Sequence, residues 1–198
     1  MASPEDLSER LLEDINPKFI FFPHWSAIVP EPIVQKYECV CFHMTDLPFG
    51  RGGSPLQNLV VRGMTSTRLT ALRMDEGVDT GPIYGKRDLS LEGSARQVYR
   101  RAAEVSIELM KWIVLERPMP TAQEGEATAF RRRRPRESAL PSDLGALETM
   151  RFIQMLDADG YPRAFVEHGE WRLEFDEASM DEAGLTATVR FKLMNRES

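Results

Sequence analysis

Residues 39–81 read CVCFHMTDLPFGRGGSPLQNLVVRGMTSTRLTALRMDEGVDTG. Residues 39–43 are an apolar run ending on an imidazole, His43. A glycine-rich loop, residues 49–53, follows at once, and Ser54 and Pro55 open a short amphipathic helix closing near Gly63. A strand over 68–73 then runs into the acidic turn Asp75-Glu76-Gly77-Val78-Asp79-Thr80-Gly81. A strand end carrying His43 and a neighbouring loop carrying Asp79 would place a base beside a carboxylate. Clefts at strand ends are where ligands bind in open α/β sheets.

Working outward, the same alternation continues. Residues 3–14 read as a helix with Ser3 as N-cap, Asp6 at the capping-box position and Leu7, Leu11 and Leu12 as a narrow apolar stripe. Phe19-Ile20-Phe21-Phe22 is an unbroken apolar run, the pattern of a strand buried on both faces. Pro32 starts a short helix through Tyr37. A strand over 82–91 and a long helix over 94–116, capped by Ser94 and stopped by Pro118 and Pro120, complete an α/β core with a mostly parallel sheet. Beyond it come a strand over 128–133, a loop over 135–142, a helix over 144–156 and three strands at 163–167, 170–175 and 185–193. The expected division is a core of residues 1–122 and a linker strand, helix and small β-rich C-terminal appendage of residues 123–198.

Composition narrows the partners. With 198 residues, 42% hydrophobic and 28% charged, the chain can bury a real core. A net charge of -6 argues against a broad nucleic-acid footprint, with the arginine run 131–134 as a local exception. No secretory signal and no membrane-spanning apolar run is present, so a cytoplasmic, reduced protein is expected. The two cysteines, Cys39 and Cys41, alternate onto one strand face with no second pair, so no zinc site is expected.

Each candidate residue carries two readings. His43 is either a partly buried histidine holding loop carbonyls or a general acid/base, the one side chain with an unshifted pKa near neutrality. Asp79 is either a turn former or the carboxylate that orients His43. The loop Gly50-Arg51-Gly52-Gly53-Ser54-Pro55 either cradles an anion or makes a tight helix entry. It matches neither the P-loop nor the dinucleotide fingerprint. The cysteines read as core residues, and the arginine run as an alternating, half-solvated strand.

Taken together, FIFFPHWSAIVPEPIV, FHMTDLPFGRGGSPLQN, MDEGVDTGPIY, QEGEATAF and MLDADGYPRAFVEHGEWRLEF resemble, in order and spacing, the N10-formyltetrahydrofolate-dependent formyltransferases. The resemblance implies a Rossmann-like formyltransferase core that transfers a formyl group from N10-formyltetrahydrofolate to a primary amine. Of the family's catalytic Asn, His and Asp, His43 and Asp79 fall on the last two, and Cys41 stands where the family has Asn. A thiol is a poor replacement for an amide at an oxyanion, so either Thr45 or a backbone N–H substitutes or the rate is low. The resemblance places the pterin against Phe22, His24, Trp25 and Ile28 and the loop holding Met74, Asp75, Gly77 and Asp79. It places the acceptor near Thr45, Arg51, Gly52 and Gly53.

The wording of the His43 loop resembles most the branch acting on amino-sugar nucleotides, so a nucleotide sugar is the expected acceptor. A methionyl-tRNA formyltransferase-like enzyme and a catalytically weak folate-binding remnant are the alternatives. The family's earlier strands are not seen before the FIFF run. That run is therefore expected at a sheet edge, covered by the first helix or, as favoured because one short helix with a narrow apolar stripe covers too little surface, by a second copy of the chain in a homo-oligomer.

Overall fold

The computed structural model describes residues 7–194. Two compact units are drawn from alternating stretches of the described chain: residues 7–55, 67–89 and 102–130 form the first, and 56–66, 90–101 and 131–194 the second.

The first unit is built on a four-stranded sheet. Its strands are β1 (Ile20–Phe22), β2 (Cys39–His43), β4 (Ser66–Arg73) and β5 (Ile83–Ser90), in the order β1-β2-β4-β5. The expected parallel pair is β1–β2, with Ile20 opposite Cys39 and Phe22 opposite Cys41. β2 and β4 run antiparallel, with His43 opposite Thr70, so the sheet is mixed and not mostly parallel. The fold class is α/β, as expected. Antiparallel pairing follows because the chain leaves β2 at His43 and re-enters beside it at that same end, Thr70 opposite His43, then runs back to set Arg73 opposite Val40. Leu69, Thr70, Ala71 and Leu72 in β4 are buried in succession, the run expected of a strand covered on both faces.

β1 lies at the edge of this sheet, where the sequence put it. Its apolar residues are met by the helix α1 (Glu9–Ile15): Leu7 and Leu12 join Ile20, Phe22, Val29, Ile33, Tyr37 and Cys39 in one core cluster. The helix begins later than expected. Ser8 is its cap, its hydroxyl accepting from the Leu11 N–H at 3.3 Å. The expected cap Ser3 and the Asp6 box position lie outside the described residues. Leu11, assigned to the apolar stripe, turns outward, because only positions on one side of a two-turn helix can face the sheet. α2 (Glu31–Lys36), with Pro32 in its first turn, buries Ile33 against the same cluster.

A second, two-stranded piece pairs β3 (Arg51–Gly52) in parallel with β6 (Ala129–Phe130). The expected strand over 128–133 is therefore only two residues long, and the arginine run leaves it at once. The short helix α3 (Pro55–Val60) stands after β3. The long helix α4 (Ala95–Glu116) matches its expected span. Within the first unit it buries Leu109 and Ile113 and sets Trp112 against Gly85 of β5, where an added Cβ would come within 2.9 Å of the indole.

In the second unit, α5 (Ala146–Gln154) packs on an antiparallel sheet, β7 (Ala164–His168), β8 (Trp171–Asp181) and β9 (Gly184–Leu193). Buried Asp157 accepts the Glu177 N–H at 3.1 Å and pairs with Arg163, whose Nε lies 3.4 Å from Asp176. Those contacts hold the chain where β8 departs from register between Asp176 and Ser179. The arginine run is not a strand, although Arg131, Arg132 and Arg134 are exposed. Arg131 forks onto the Glu137 carboxylate, the Arg134 N–H donates to that carboxylate, and Arg133 donates to the Glu137 carbonyl and stacks over Phe152. Glu137 is the third residue of a 3-10 turn, Pro135–Ser138, and its carboxylate reaches back to accept the N–H of the cap residue Arg134. Among the described residues no helix is long and apolar enough to cross a membrane.

Leu12 is 1% exposed at the centre of the helix–edge contact. Leu12→Ala is expected to lower stability by about 2–5 kcal/mol, the range for an aliphatic side chain lost from a packed core. Urea unfolding followed by circular dichroism measures it, and a loss below about 1 kcal/mol would show that α1 does not hold the β1 side of the core.

Candidate active site

β2 delivers His43 to the end of the sheet, 8% exposed. The loop after it turns back on itself. Thr70 donates its hydroxyl hydrogen to the Thr45 carbonyl at 2.7 Å, and Thr45 donates to the Gly50 carbonyl at 3.4 Å. The Gly50 carbonyl thereby arrives 2.8 Å from His43 Nε2. A carbonyl only accepts, so Nε2 carries the hydrogen in that contact. On the other side of the ring, Nδ1 lies 3.4 Å from Asp79 Oδ2. That is an ion-pair distance, longer than a good hydrogen bond. The same carboxylate oxygen accepts the Gly52 N–H at 2.8 Å. Asp79 is thus held by a backbone donor while it faces the imidazole.

The acidic turn separates its two aspartates by role. Asp75 Oδ1 accepts the Gly77 N–H at 3.0 Å and the Thr80 hydroxyl at 2.6 Å, closing the turn on itself. Asp79 adopts a left-handed backbone, φ 56°, that aims its side chain at His43. Gly81 is required next to it, since a Cβ there would lie 1.9 Å from the Arg73 carbonyl oxygen. Gly52 has φ 102°, and a Cβ on it would lie 2.4 Å from the Phe130 carbonyl oxygen. The Gly53 N–H donates to that same oxygen at 3.1 Å. The glycines of the loop are there because β3 must lie close against β6.

The structure brings His43, Asp79, Gly52 and the His43 loop together, and Cys41 belongs with them. Cys41 is two residues before His43 on β2 and shares its face. Its thiol is pushed up by burial first and by the Asp79 charge second, so it stays protonated. Cys39, deeper in the strand, is pushed up to about 11, again mainly by burial.

Other expected positions fall elsewhere. Thr45 is fully buried, with its hydroxyl on the Gly50 carbonyl, so it holds the loop and has no surface for an acceptor. Arg51 is half-buried and bound to Gln123. Phe22 lies in the core cluster, with Trp25 edge-on at 5.4 Å between centroids. Trp25 keeps its ring on that cluster, and its buried Nε1 has no hydrogen-bond partner among the described residues. His24 has a left-handed backbone, φ 59°, and burial lowers its pKa. Ile28 is 92% exposed. Met74, Asp75 and Gly77 line an open hollow of about 440 Å³ with Val34, Gln35, Arg73, Glu76 and Pro82.

Two neighbours were not singled out from sequence. Thr128 accepts the Gly50 N–H on its hydroxyl at 2.8 Å. Gln123 donates from Nε2 to the carbonyls of Asp79 and Gly81, each at 2.8 Å, and takes Arg51 on its Oε1. Both lie in QEGEATAF, but neither carries a charge or a motif. Their roles follow from the β3–β6 pairing, across more than 70 residues of chain.

A family model described as "Formyl transferase" matches residues 2–113, and one described as "Methionyl-tRNA formyltransferase, C-terminal domain" matches residues 135–192. Over 127 residues the chain is 30% identical to a methionyl-tRNA formyltransferase of Rickettsia massiliae, covering 61% of this chain and 42% of that protein's length. A solved methionyl-tRNA formyltransferase from Clostridium thermocellum superposes with a TM-score of 0.95 at 45% identity, covering 98% of this chain and 86% of that one. A Mycobacterium tuberculosis structure described as a likely sugar N-formyltransferase shares the fold, with a TM-score of 0.61 at 17% identity, covering 96% and 80%.

Gly52→Ala is expected to cost more than about 1 kcal/mol of stability and to displace the Asp79 partner, because its left-handed φ and the Phe130 carbonyl both exclude a Cβ. A melting temperature equal to that of the wild type would show that β3 and β6 are not held this closely.

Proposed function

The chain belongs to the formyl transferase family, and from that premise we propose that it moves a formyl group from N10-formyltetrahydrofolate to the α-amine of an aminoacylated tRNA, methionyl-tRNA in the first instance. The observation that carries the reaction is the His43–Asp79 pair, a buried imidazole 3.4 Å from a carboxylate that the Gly52 N–H holds in place. The acceptor is argued separately. The expected amino-sugar nucleotide loses ground to the tRNA reading. Two methionyl-tRNA formyltransferases share 45% and 30% identity with this chain, and the sugar-type structure shares only 17%. The chain spans less than half the length of the curated relative, so activity and acceptor rest on this reading.

The reaction joins the amine nitrogen to the formyl carbon and breaks the bond from that carbon to N10. One proton leaves the amine and one is gained by N10. His43 serves the negative charge that develops on the formyl oxygen. With Asp79 beside Nδ1, the Nε2–H exchanges the Gly50 carbonyl for that oxygen. Asp79, held by Gly52, stabilises the ring while it donates and takes up the amine's proton directly or through water. Cys41 on the same strand face offers only a weak S–H donor. The hollow beside Met74, Asp75 and Gly77 has Val34, Met74 and Pro82 on its wall, apolar surface suited to a flat heteroaromatic.

The test incubates the protein with N10-formyltetrahydrofolate and either methionyl-tRNA or a panel of amino-sugar nucleotides, and reads the mass gained by the acceptor. Formylated tRNA is expected, with an affinity that falls as salt rises. A formylated sugar nucleotide and untouched tRNA would overturn the acceptor and leave the chemistry standing. Folate binding without transfer to any acceptor would identify a binding remnant. His43→Ala is expected to lower transfer by about two to four orders of magnitude in a folded protein; near-native turnover would sink the mechanism.

Cys41→Asn is expected to preserve or raise turnover, because the amide would share the His43 face and supply a stronger donor. Turnover and melting temperature are compared in one sample. A stability loss of roughly 1–3 kcal/mol with no gain in rate would show that the position cannot satisfy an amide.

A further inference from the structure

We propose that Gln123 is a positioning residue that holds Asp79 in register with His43, an inference that rests on the formyl-transfer reading. The amide is oriented without ambiguity. Arg51 can only donate, and its Nε and Nη2 lie 3.2 and 2.8 Å from Oε1, so that atom is the oxygen. The two hydrogens on Nε2 then go to the carbonyls of Asp79 and Gly81, both at 2.8 Å. Both donors and the acceptor of the amide are in use.

The turn needs this hold. Asp79 sits at φ 56°, a conformation that costs a side-chain-bearing residue and persists only where its surroundings over-determine it. Asp75 closes the front of the turn through Gly77 and Thr80, but those bonds do not reach Asp79 or Gly81. The carboxylate is held by one donor, Gly52. The main chain on either side of Thr80 is held by Gln123. The glutamine is itself anchored, since Thr121 exchanges two backbone hydrogen bonds with Ile83 of β5, at 2.7 and 2.9 Å. Through Oε1 the same side chain ties Arg51 on β3 to the turn. One amide thus locks the strand that supplies the Gly52 N–H to the loop that supplies the carboxylate.

A glutamate in its place keeps the size and the Arg51 partner but sets an oxygen against two carbonyl oxygens. The experiment compares wild type and Gln123→Glu by steady-state kinetics and by amide hydrogen exchange over residues 77–81. The expected result is a kcat lower by about tenfold to a hundredfold with little change in KM for N10-formyltetrahydrofolate, the signature of misplaced and not missing chemistry. Exchange over 77–81 is expected to quicken by about tenfold or more while the rest of the first unit keeps its protection. Unchanged exchange overturns the proposal, whatever happens to the rate. A raised KM at unchanged kcat also overturns it, because Gln123 would then touch the substrate directly. If the wild type transfers no formyl group, the functional reading fails and exchange alone decides the positioning. If Gln123→Glu does not fold, Gln123→Ala, which removes the bonds without the repulsion, is read by the same two measurements.

Discussion

The hydrogen bond from the Gly52 N–H to Asp79, 2.8 Å long, ties together two segments that sequence separates by 27 residues. It requires β3 to lie where β6 holds it and the acidic turn to bend left-handed at Asp79. His43 enters the same arrangement because the loop from Met44 to Gly50 is folded back by Thr45 and Thr70. A carboxylate placed by a backbone donor keeps its geometry more rigidly than one placed by a flexible side chain, which is what a site for a developing charge requires.

Close approach of backbones is the price of that geometry, and glycine is how the chain meets it. Gly52 and Gly81 each stand where a Cβ would fall within 2.4 Å of a carbonyl oxygen. The motif Asp-x-Gly-x-Asp-Thr-Gly therefore encodes two separate demands. Asp75 and Gly77 shape the turn, while Asp79 and Gly81 hold it against the end of β4 and face the imidazole. Of the two readings of Asp79, the carboxylate beside the histidine describes where it stands, while the turn is closed by Asp75.

In the second unit, electrostatics works differently. The run of arginines looks from sequence like a charged face. In the fold, three of the four spend donors on Glu137, whose carboxyl is held down to about 2, first by Arg131 and then by the Arg134 N–H. The run therefore caps and pins the entry to the C-terminal segment.

The edge placement of β1 came from the family resemblance and β3 was read as a loop, whereas sequence alone determined the order of the longer strands and helices, the α/β class and the meeting of His43 with Asp79. These are properties of apolar periodicity, of capping and breaking residues, and of a motif whose spacing is local. It misjudged the share of parallel pairing and the extent of the strand after Thr128. It passed over Gln123 and Thr128 altogether. Those features depend on which strand lies beside which, and an amide or a hydroxyl acquires a role only when distant backbone carbonyls and N–H groups converge on it. Only the tertiary structure decided that convergence, because pairing β3 with β6 brings residues 50–52 against residues 123–130, and no local pattern in either stretch specifies the other.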